Sequence, residues 1–536
     1  MAGKPQLKPP NPPPGPPTRA FWWLFLGLHL LWYAPELVFT QLTCQASGLS
    51  FFQGLKVAPP VLFGELALLF LLPRQRVFQG LASGVVVLLF FYQGYAAFYQ
   101  ATYGEPPHFQ DDYALVREVL PVFLSSIGGH RLLYFGLGLA AALLLGGTAW
   151  ALCRAAWKAA RPHHRRTLLV LVGLALLQLF VEPNFPFRWV SEDLAQSLHL
   201  PAAHRYASEA NPCPQTAMPA PAPSPPDVFV LFLESYGAVA WQHPAVRPAL
   251  ETLADSALPV LGREGWQVFS TFSQAPIIGG RSWLSFTTGL TGLPVKSQVQ
   301  YNDLLRRHAD CRHLVRYLHA LGYETWRLAT MRTNPTTRKL IPYPTLERFW
   351  GFDHFLEFED IPYAGPPFDF YGGIPDQYAL GFLRDQHLLQ RPGPHFVFFI
   401  TLSSHIPWYE PPPLPPDWRT LDSLPAAERS LKGFRLERYR KAMVYELRMA
   451  LQFALQYPRK AVFLLIGDHQ PALLLTPDRP RFRFATPLHV LTRDSFHEPP
   501  LREQGLAPGL EPRTDSLRFH HEDLYPLIQG LLAAEH

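Results

Sequence analysis

Two apolar runs in this chain end in residues that can do chemistry. Asp227 to Gly237, DVFVLFLESYG, holds six apolar residues from Val228 to Leu233 and then Glu234. Ala461 to Ile466, AVFLLI, runs straight into Gly467-Asp468-His469-Gln470. Runs of this kind suit parallel strands covered on both faces, and ligands in open α/β sheets gather beyond the carboxyl ends of such strands. If the two ends are neighbours, Glu234, Asp468 and His469 present two carboxylates and an imidazole to one point, a set suited to a divalent metal. A hydroxyl stands between them in sequence, in Gly279-Gly280-Arg281-Ser282-Trp283-Leu284-Ser285. Two glycines, a hydroxyl residue and an apolar run place Ser282 at or near a helix start, where amides and the helix dipole favour an anion. An ordinary serine N-cap is the plain alternative.

The elements that must position these groups are strands alternating with helices. Strands are expected at Asp227–Leu233, Tyr323–Ala329, His395–Leu402, Ala461–Ile466 and Leu488–Leu491. Helices are expected at Pro244–Ala257, His308–Leu321, Gln377–Leu389, Leu431–Gln456 and His521–Ala534. Such alternation implies one large α/β domain over 227–536 with a mainly parallel central sheet. Ser403-Ser404-His405-Ile406-Pro407 follows the third strand, which sets His405 apart from most of the 21 histidines.

The first third of the chain has another character. Residues 1–19 form a Pro-rich tail carrying Lys4, Lys8 and Arg19. Residues 20–182 read as a transmembrane domain of five helices, at about Phe21–Phe39, Val57–Leu72, Val77–Phe98, Leu132–Leu152 and Thr167–Val181. Arg74 and Arg76, then Arg154, Lys158, Arg161, Arg165 and Arg166, mark two loops as cytoplasmic, and the basic tail joins them. Five spans starting inside leave everything after Val181 outside. Residues 183–226 make a juxtamembrane segment and a Pro-rich linker, NPCPQTAMPAPAPSPP at its end. The net charge of +5 comes with no dense basic field in the C-terminal half, so nucleic acid is not expected as a partner. Cys44, Cys153, Cys213 and Cys311 show no metal-type spacing, and a Cys213–Cys311 disulfide is open to the chain outside the cytoplasm.

A strand ending in Glu234-Ser235, the Gly279-Gly280-Arg281-Ser282 turn, Ser404-His405-Ile406-Pro407 and Gly467-Asp468-His469, in that order, resemble the lipoteichoic acid synthase family. That family is sulfatase-like and belongs to the alkaline phosphatase superfamily. His521 to Leu527 is similar to the closing helix of sulfatase-like domains. The resemblance implies that Glu234, Asp468, His469 and the oxygen of Ser282 bind one Mn²⁺ or Zn²⁺. It makes Ser282 the nucleophile, with Ser285 as fallback, His405 a catalytic and phosphate-contacting residue, and Arg281 a substrate-binding one. Two departures stand out. The usual nucleophile is threonine, and the Trp-x-Arg headgroup element has no counterpart in Arg338 to Trp350, where Arg338, Lys339 and Arg348 fall at other spacings. Formylglycine sulfatases require Pro and Arg where this chain has Leu284 and Phe286, which disfavours sulfate-ester hydrolysis with that cofactor.

The implied activity is a membrane-embedded transferase. It moves a phospholipid headgroup, phosphoglycerol first and phosphoethanolamine second, onto an envelope glycan or lipid acceptor. The place implied is the bacterial cytoplasmic membrane, multi-pass, with the catalytic domain extracytoplasmic. A phosphodiesterase or sulfatase-like hydrolase of the same superfamily, and a noncatalytic lipid sensor, are the alternatives.

Overall fold

A computed structural model describes residues 224–533, apart from 333–342, 369–371, 426–434, 472–473, 475–481 and 514–516, with shorter pieces of the region before them. Among those pieces is helix α1 (Arg131–Ala160). Its stretch Gly136–Ala159 is long and apolar enough to cross a membrane and none of its most apolar window is buried by protein, so Leu137, Leu143 and Leu144 stand exposed. Among the described residues it is the one such helix, and it overlaps the expected span Leu132–Leu152. The other four expected spans lie largely outside the described residues.

From Asp227 the chain alternates as expected. In order come β1 (Asp227–Leu233), α2 (Arg247–Arg263), β2 (Gln267–Gln274), α3 (Ser282–Thr291), α4 (Gln298–Arg307) and α5 (Leu314–Ala320). Then follow β3 (Glu324–Leu328), α6 (Tyr343–Trp350), β4 (His354–Leu356), α7 (Asp376–Gln386), β5 (His395–Ile400) and α8 (Arg435–Gln456). The last are β6 (Ala461–Gly467), β7 (Ala485–Thr492), α9 (Glu498–Glu503), β8 (Ala507–Pro508), β9 (Phe519–His520) and α10 (Leu524–Ala533). The strands form one sheet in the order β4-β3-β5-β1-β6-β7-β2-β8, with β9 beside β2. From β4 to β6 all neighbours are parallel, whereas β7 is antiparallel to both β6 and β2. The sheet is therefore mixed and mostly parallel.

β1 is buried at all seven positions, and its side chains alternate between two cores. Phe229, Leu231 and Leu233 face α2, α7 and α8, where Phe229 stacks on Phe463 with ring centroids 4.5 Å apart. Val228, Val230 and Phe232 face α3, α5 and α10. This two-sided cover is why the run lacks polar residues.

The structure adds β2, β4, β8 and β9 and the helices α4, α6 and α9 to the expected elements, and two differences from the sequence pattern stand out. β2 carries Ser270, Thr271 and Ser273 at buried positions, so no apolar run announces it. Its hydroxyls are paired: Ser270 Oγ lies 2.7 Å from His489 Nδ1 and Ser273 Oγ 2.8 Å from His521 Nδ1. The helix expected over His308–Leu321 begins only at Leu314, where the His313 side chain caps it by accepting from the Arg316 amide, and the preceding loop holds Cys311 in a disulfide with Cys213, Cα atoms 5.4 Å apart. A bond of this kind belongs to an oxidising compartment.

Candidate active site

The register of the central pair builds the site. Leu233 of β1 pairs with Gly467 of β6, so the next residues on each strand, Glu234 and Asp468, leave the sheet side by side. Only glycine fits at the crossing: a Cβ on Gly467 would lie 1.9 Å from the Tyr236 carbonyl oxygen, and one on Gly237 would lie 2.0 Å from Gln470 Oε1. Ser235 turns the chain at φ 59°. Its amide donates to Asp468 Oδ1 at 2.8 Å and its hydroxyl donates to Glu234 Oε1 at 2.8 Å.

The same strand end draws in the serine loop. Ile278 bridges to Gln470, and the Gly279 amide donates to the Gln470 carbonyl at 3.0 Å. Gly279, Gly280 and Arg281 then take φ of 55°, 58° and 57°, three left-handed residues in a row. Two are glycines, and Arg281 carries a cost of about 1 kcal/mol for the conformation. Helix α3 starts at Ser282, and no side chain caps it. The plain N-cap reading therefore fails. Ser282 Oγ instead points into the strand ends, 3.5 Å from Glu234 Oε2 and 3.3 Å from His469 Nε2.

These groups have what a cation needs. His469 Nδ1 donates to the Gln470 carbonyl at 3.0 Å, which leaves the lone pair on Nε2, the nitrogen that faces the carboxylates. Nε2 lies 3.3 Å from Asp468 Oδ2 and 3.8 Å from Glu234 Oε1. One ligand atom from each of Glu234, Asp468 and His469 falls within 4.8 Å of the others. Asp468 Oδ2 is buried and receives no hydrogen bond, an arrangement that costs free energy unless a positive charge meets it. Burial first, and the charge of Asp468 second, push the Glu234 carboxyl up to about 8. A divalent cation relieves both the orphaned oxygen and the crowding of two acids.

His405 is tied to the same centre through backbone. Thr401 Oγ1 accepts the Glu234 amide at 3.0 Å, and Ser404 Oγ donates to the Glu234 carbonyl at 2.8 Å. His405 is the next residue, half-buried, with Nδ1 donating to the Ile406 carbonyl at 2.6 Å so that the lone pair is on Nε2. Arg281 is half-buried beside Ser282. Ser285, the fallback nucleophile, is fully buried with an unpartnered hydroxyl and is not among the groups around His469. Arg338 and Lys339 lie outside the described residues, and Arg348 is exposed on α6.

Three supports were not visible as motifs. Thr401 and Tyr439, whose hydroxyl donates to the Ser235 carbonyl at 3.1 Å, act on backbone far away in sequence. His521 donates from Nε2 to the Gly467 carbonyl at 3.1 Å, and burial holds its pKa down near 4, so it stays a neutral brace. Its position at the head of the closing helix was the one available signal.

A sequence model described as Sulfatase matches residues 261–533. Among curated proteins none matched. Several solved structures resemble the chain, among them the following three. A protein in the alkaline phosphatase superfamily from Vibrio parahaemolyticus is 17% identical, covering 62% of this chain and 74% of its own, with a TM-score of 0.38. The lipoteichoic acid synthase LtaP from Listeria monocytogenes is 14% identical over 60% of this chain and 76% of its own, with a TM-score of 0.36. The C-terminal periplasmic domain of EcEptC from Escherichia coli is 16% identical over 59% and 86%, with a TM-score of 0.37.

Proposed function

The chain belongs to the sulfatase family, and from that membership we propose a membrane-anchored, metal-dependent transferase that moves a phospholipid headgroup onto an envelope glycan or lipid acceptor. One observation carries the reading: Ser282 Oγ is aimed at Glu234 and His469 beside a buried, unpartnered Asp468 oxygen. Glu234, Asp468, His469 and Ser282 would hold one Mn²⁺ or Zn²⁺. When bound, the cation lowers the pKa of a serine hydroxyl and offsets charge on phosphoryl oxygens.

The chain's own residues then divide the work. Ser282 Oγ attacks the phosphorus of the lipid phosphodiester, its proton passing through water to the Nε2 lone pair of His405. An Oγ–P bond forms, the bond from phosphorus to the diacylglycerol oxygen breaks, and His405 Nε2 gives that oxygen a proton. An acceptor hydroxyl next attacks the phosphoserine, its proton passing to His405 Nε2, and as the Oγ–P bond breaks Ser282 takes that proton back. Arg281, next to Ser282 in the loop, would neutralise the non-bridging oxygens.

Phosphoglycerol is the first group proposed and phosphoethanolamine the second. Helix α1 supports membrane attachment, and the Cys213–Cys311 disulfide supports an extracytoplasmic catalytic domain. Tethering suits a lipid donor, since it holds the site at the leaflet where the donor is concentrated. The test is peptide mass spectrometry after exposure to mixed phospholipids with Mn²⁺ or Zn²⁺, on wild type, Ser282→Ala and His405→Ala. A phosphoglycerol or phosphoethanolamine mass on the Ser282 peptide, absent from Ser282→Ala, is expected. No adduct and no diacylglycerol from any of them would remove the covalent transfer.

A further inference from the structure

Behind the His405 loop lies a second pair of acids that the reaction does not use. Asp376, the first residue of α7, is fully buried and accepts backbone hydrogen bonds at the start of that loop. The Leu402 amide lies 2.9 Å from Oδ1 and 3.1 Å from Oδ2, and the Ser403 amide lies 2.7 Å from Oδ2. Its own amide donates to Ser403 Oγ at 3.3 Å. Against it stands Glu446 of α8, also fully buried. Both carboxyl oxygens of Glu446 are cut off from water and have no close hydrogen-bond partner, with the Asp376 carboxyl and the Thr401 and Ser404 hydroxyls beside them.

Two carboxylates facing each other in a dry interior cannot both ionise. None of the groups that act most strongly on either acid is an arginine, lysine or histidine. Glu446 is surrounded by Asp376, Thr401 and Ser404, with the buried Tyr445 phenol near both. The remaining partner is a proton. The backbone amides decide its position, because they favour the charge on Asp376 and leave Glu446 as the neutral acid. Burial raises both carboxyls, Glu446 far above the ordinary range and Asp376 only to about 6.

We propose that Glu446 is a positioning residue held as a neutral acid, donating to Asp376 and thereby fixing the Thr401–His405 turn. That turn grips the Glu234 backbone from both sides, at its amide through Thr401 and at its carbonyl through Ser404. Glu446 itself touches neither the substrate nor the metal ligands. Its effect on the reaction is the distance between His405 and the Glu234 cluster. The inference rests on the proposed site for its consequence, but the shared proton stands without it.

The chemistry predicts an asymmetry between two isosteric changes. Glu446→Gln replaces the acid O–H by an amide N–H and keeps the donor. Diacylglycerol release and metal affinity should stay within about threefold of wild type, since the hydrogen bond to a charged acceptor is retained. Asp376→Asn turns a donor toward the Leu402 and Ser403 amides, and it should lower kcat about tenfold or more with less change in KM. Glu446→Leu keeps the volume without the donor and should fall with Asp376→Asn.

The direct readout needs no activity. The full-length protein, at a pH well above the value of about 8 to which Glu234 is raised, should show the infrared carbonyl stretch of a protonated carboxylic acid, and that band should be missing from Glu446→Gln. An equal loss in Glu446→Gln and Asp376→Asn, or the absence of the band from wild type, would overturn the proposal. If the band is present but wild type neither binds Mn²⁺ or Zn²⁺ nor releases diacylglycerol, the proposed function fails while the neutral acid remains.

Discussion

Both ends of β1 carry a buried carboxylate, and the two are treated in opposite ways. At the amino end Asp227 accepts the Tyr457 hydroxyl at 2.5 Å and the His395 amide at 2.6 Å, and Arg459 Nε stands 3.3 Å away. Each of its oxygens meets a donor from the protein. At the carboxyl end Glu234 receives Ser235 and, weakly, Ser282, while its neighbour Asp468 has an oxygen that receives no hydrogen bond, with His469 Nε2 3.3 Å away. A chain that can satisfy a buried acid completely at one end of a strand leaves two acids under-satisfied at the other. The lesson is that the deficit is local and specific, and a positive charge from outside the chain is what it lacks.

The comparison can be broken by experiment. The largest effect is expected at the nucleophile: Ser282→Ala should reduce diacylglycerol release about a thousandfold or more, whereas Ser285→Ala, in the wall of the core, should keep measurable turnover. Next comes the crossing point. Gly467→Ala forces a Cβ against the Tyr236 carbonyl, and calorimetry should show metal binding lost together with a drop in Tm.

Matched acid-to-amide changes sharpen the contrast. Asp227→Asn should destabilise the protein by about 1–3 kcal/mol in urea unfolding, because paired donors lose a charged acceptor. Asp468→Asn should leave the metal-free protein no less stable, since it removes like-charge repulsion, yet abolish cation binding. Opposite results at the two ends would erase the distinction. The smallest effect concerns pH. With its carboxyl raised to about 8, metal-free Glu234 binds a proton that the unfolded chain has already lost. Its contribution to stability therefore falls as pH rises from the ordinary carboxyl range to about 8. Cation affinity should rise over the same interval, with proton release that calorimetry in buffers of different ionisation heat will count.

The same two strand ends show how far a sequence can be read. β1 and β6 are legible because both faces are covered, which leaves only apolar types in the run and makes Glu234 and Asp468 conspicuous at its end. Their meeting required only that the strands be neighbours, as the pairing of Leu233 with Gly467 makes them. β2 is illegible for the opposite reason, since its buried Ser270 and Ser273 are satisfied by histidines more than two hundred residues away. Thr401, Asp376 and Glu446 escape notice likewise, and Ser404 is noticed only as the neighbour of His405. A hydroxyl that grips backbone 167 or 170 residues distant leaves no periodicity behind. The disulfide lay between these cases: the two cysteines were countable, but the distance between them was not.

The brace that His521 provides also fixes an order of events. Glu234, Ser282, His405 and Asp468 leave the ribosome long before it, and Gly467 waits for a partner to its carbonyl until residue 521 arrives. β9, which lies beside β2, comes just ahead of it. A domain whose sheet is closed by its last segment folds as a unit only when that segment is available. During synthesis, then, the cluster of acids exists as separate pieces with little hold on a cation until the segment around His521 has emerged.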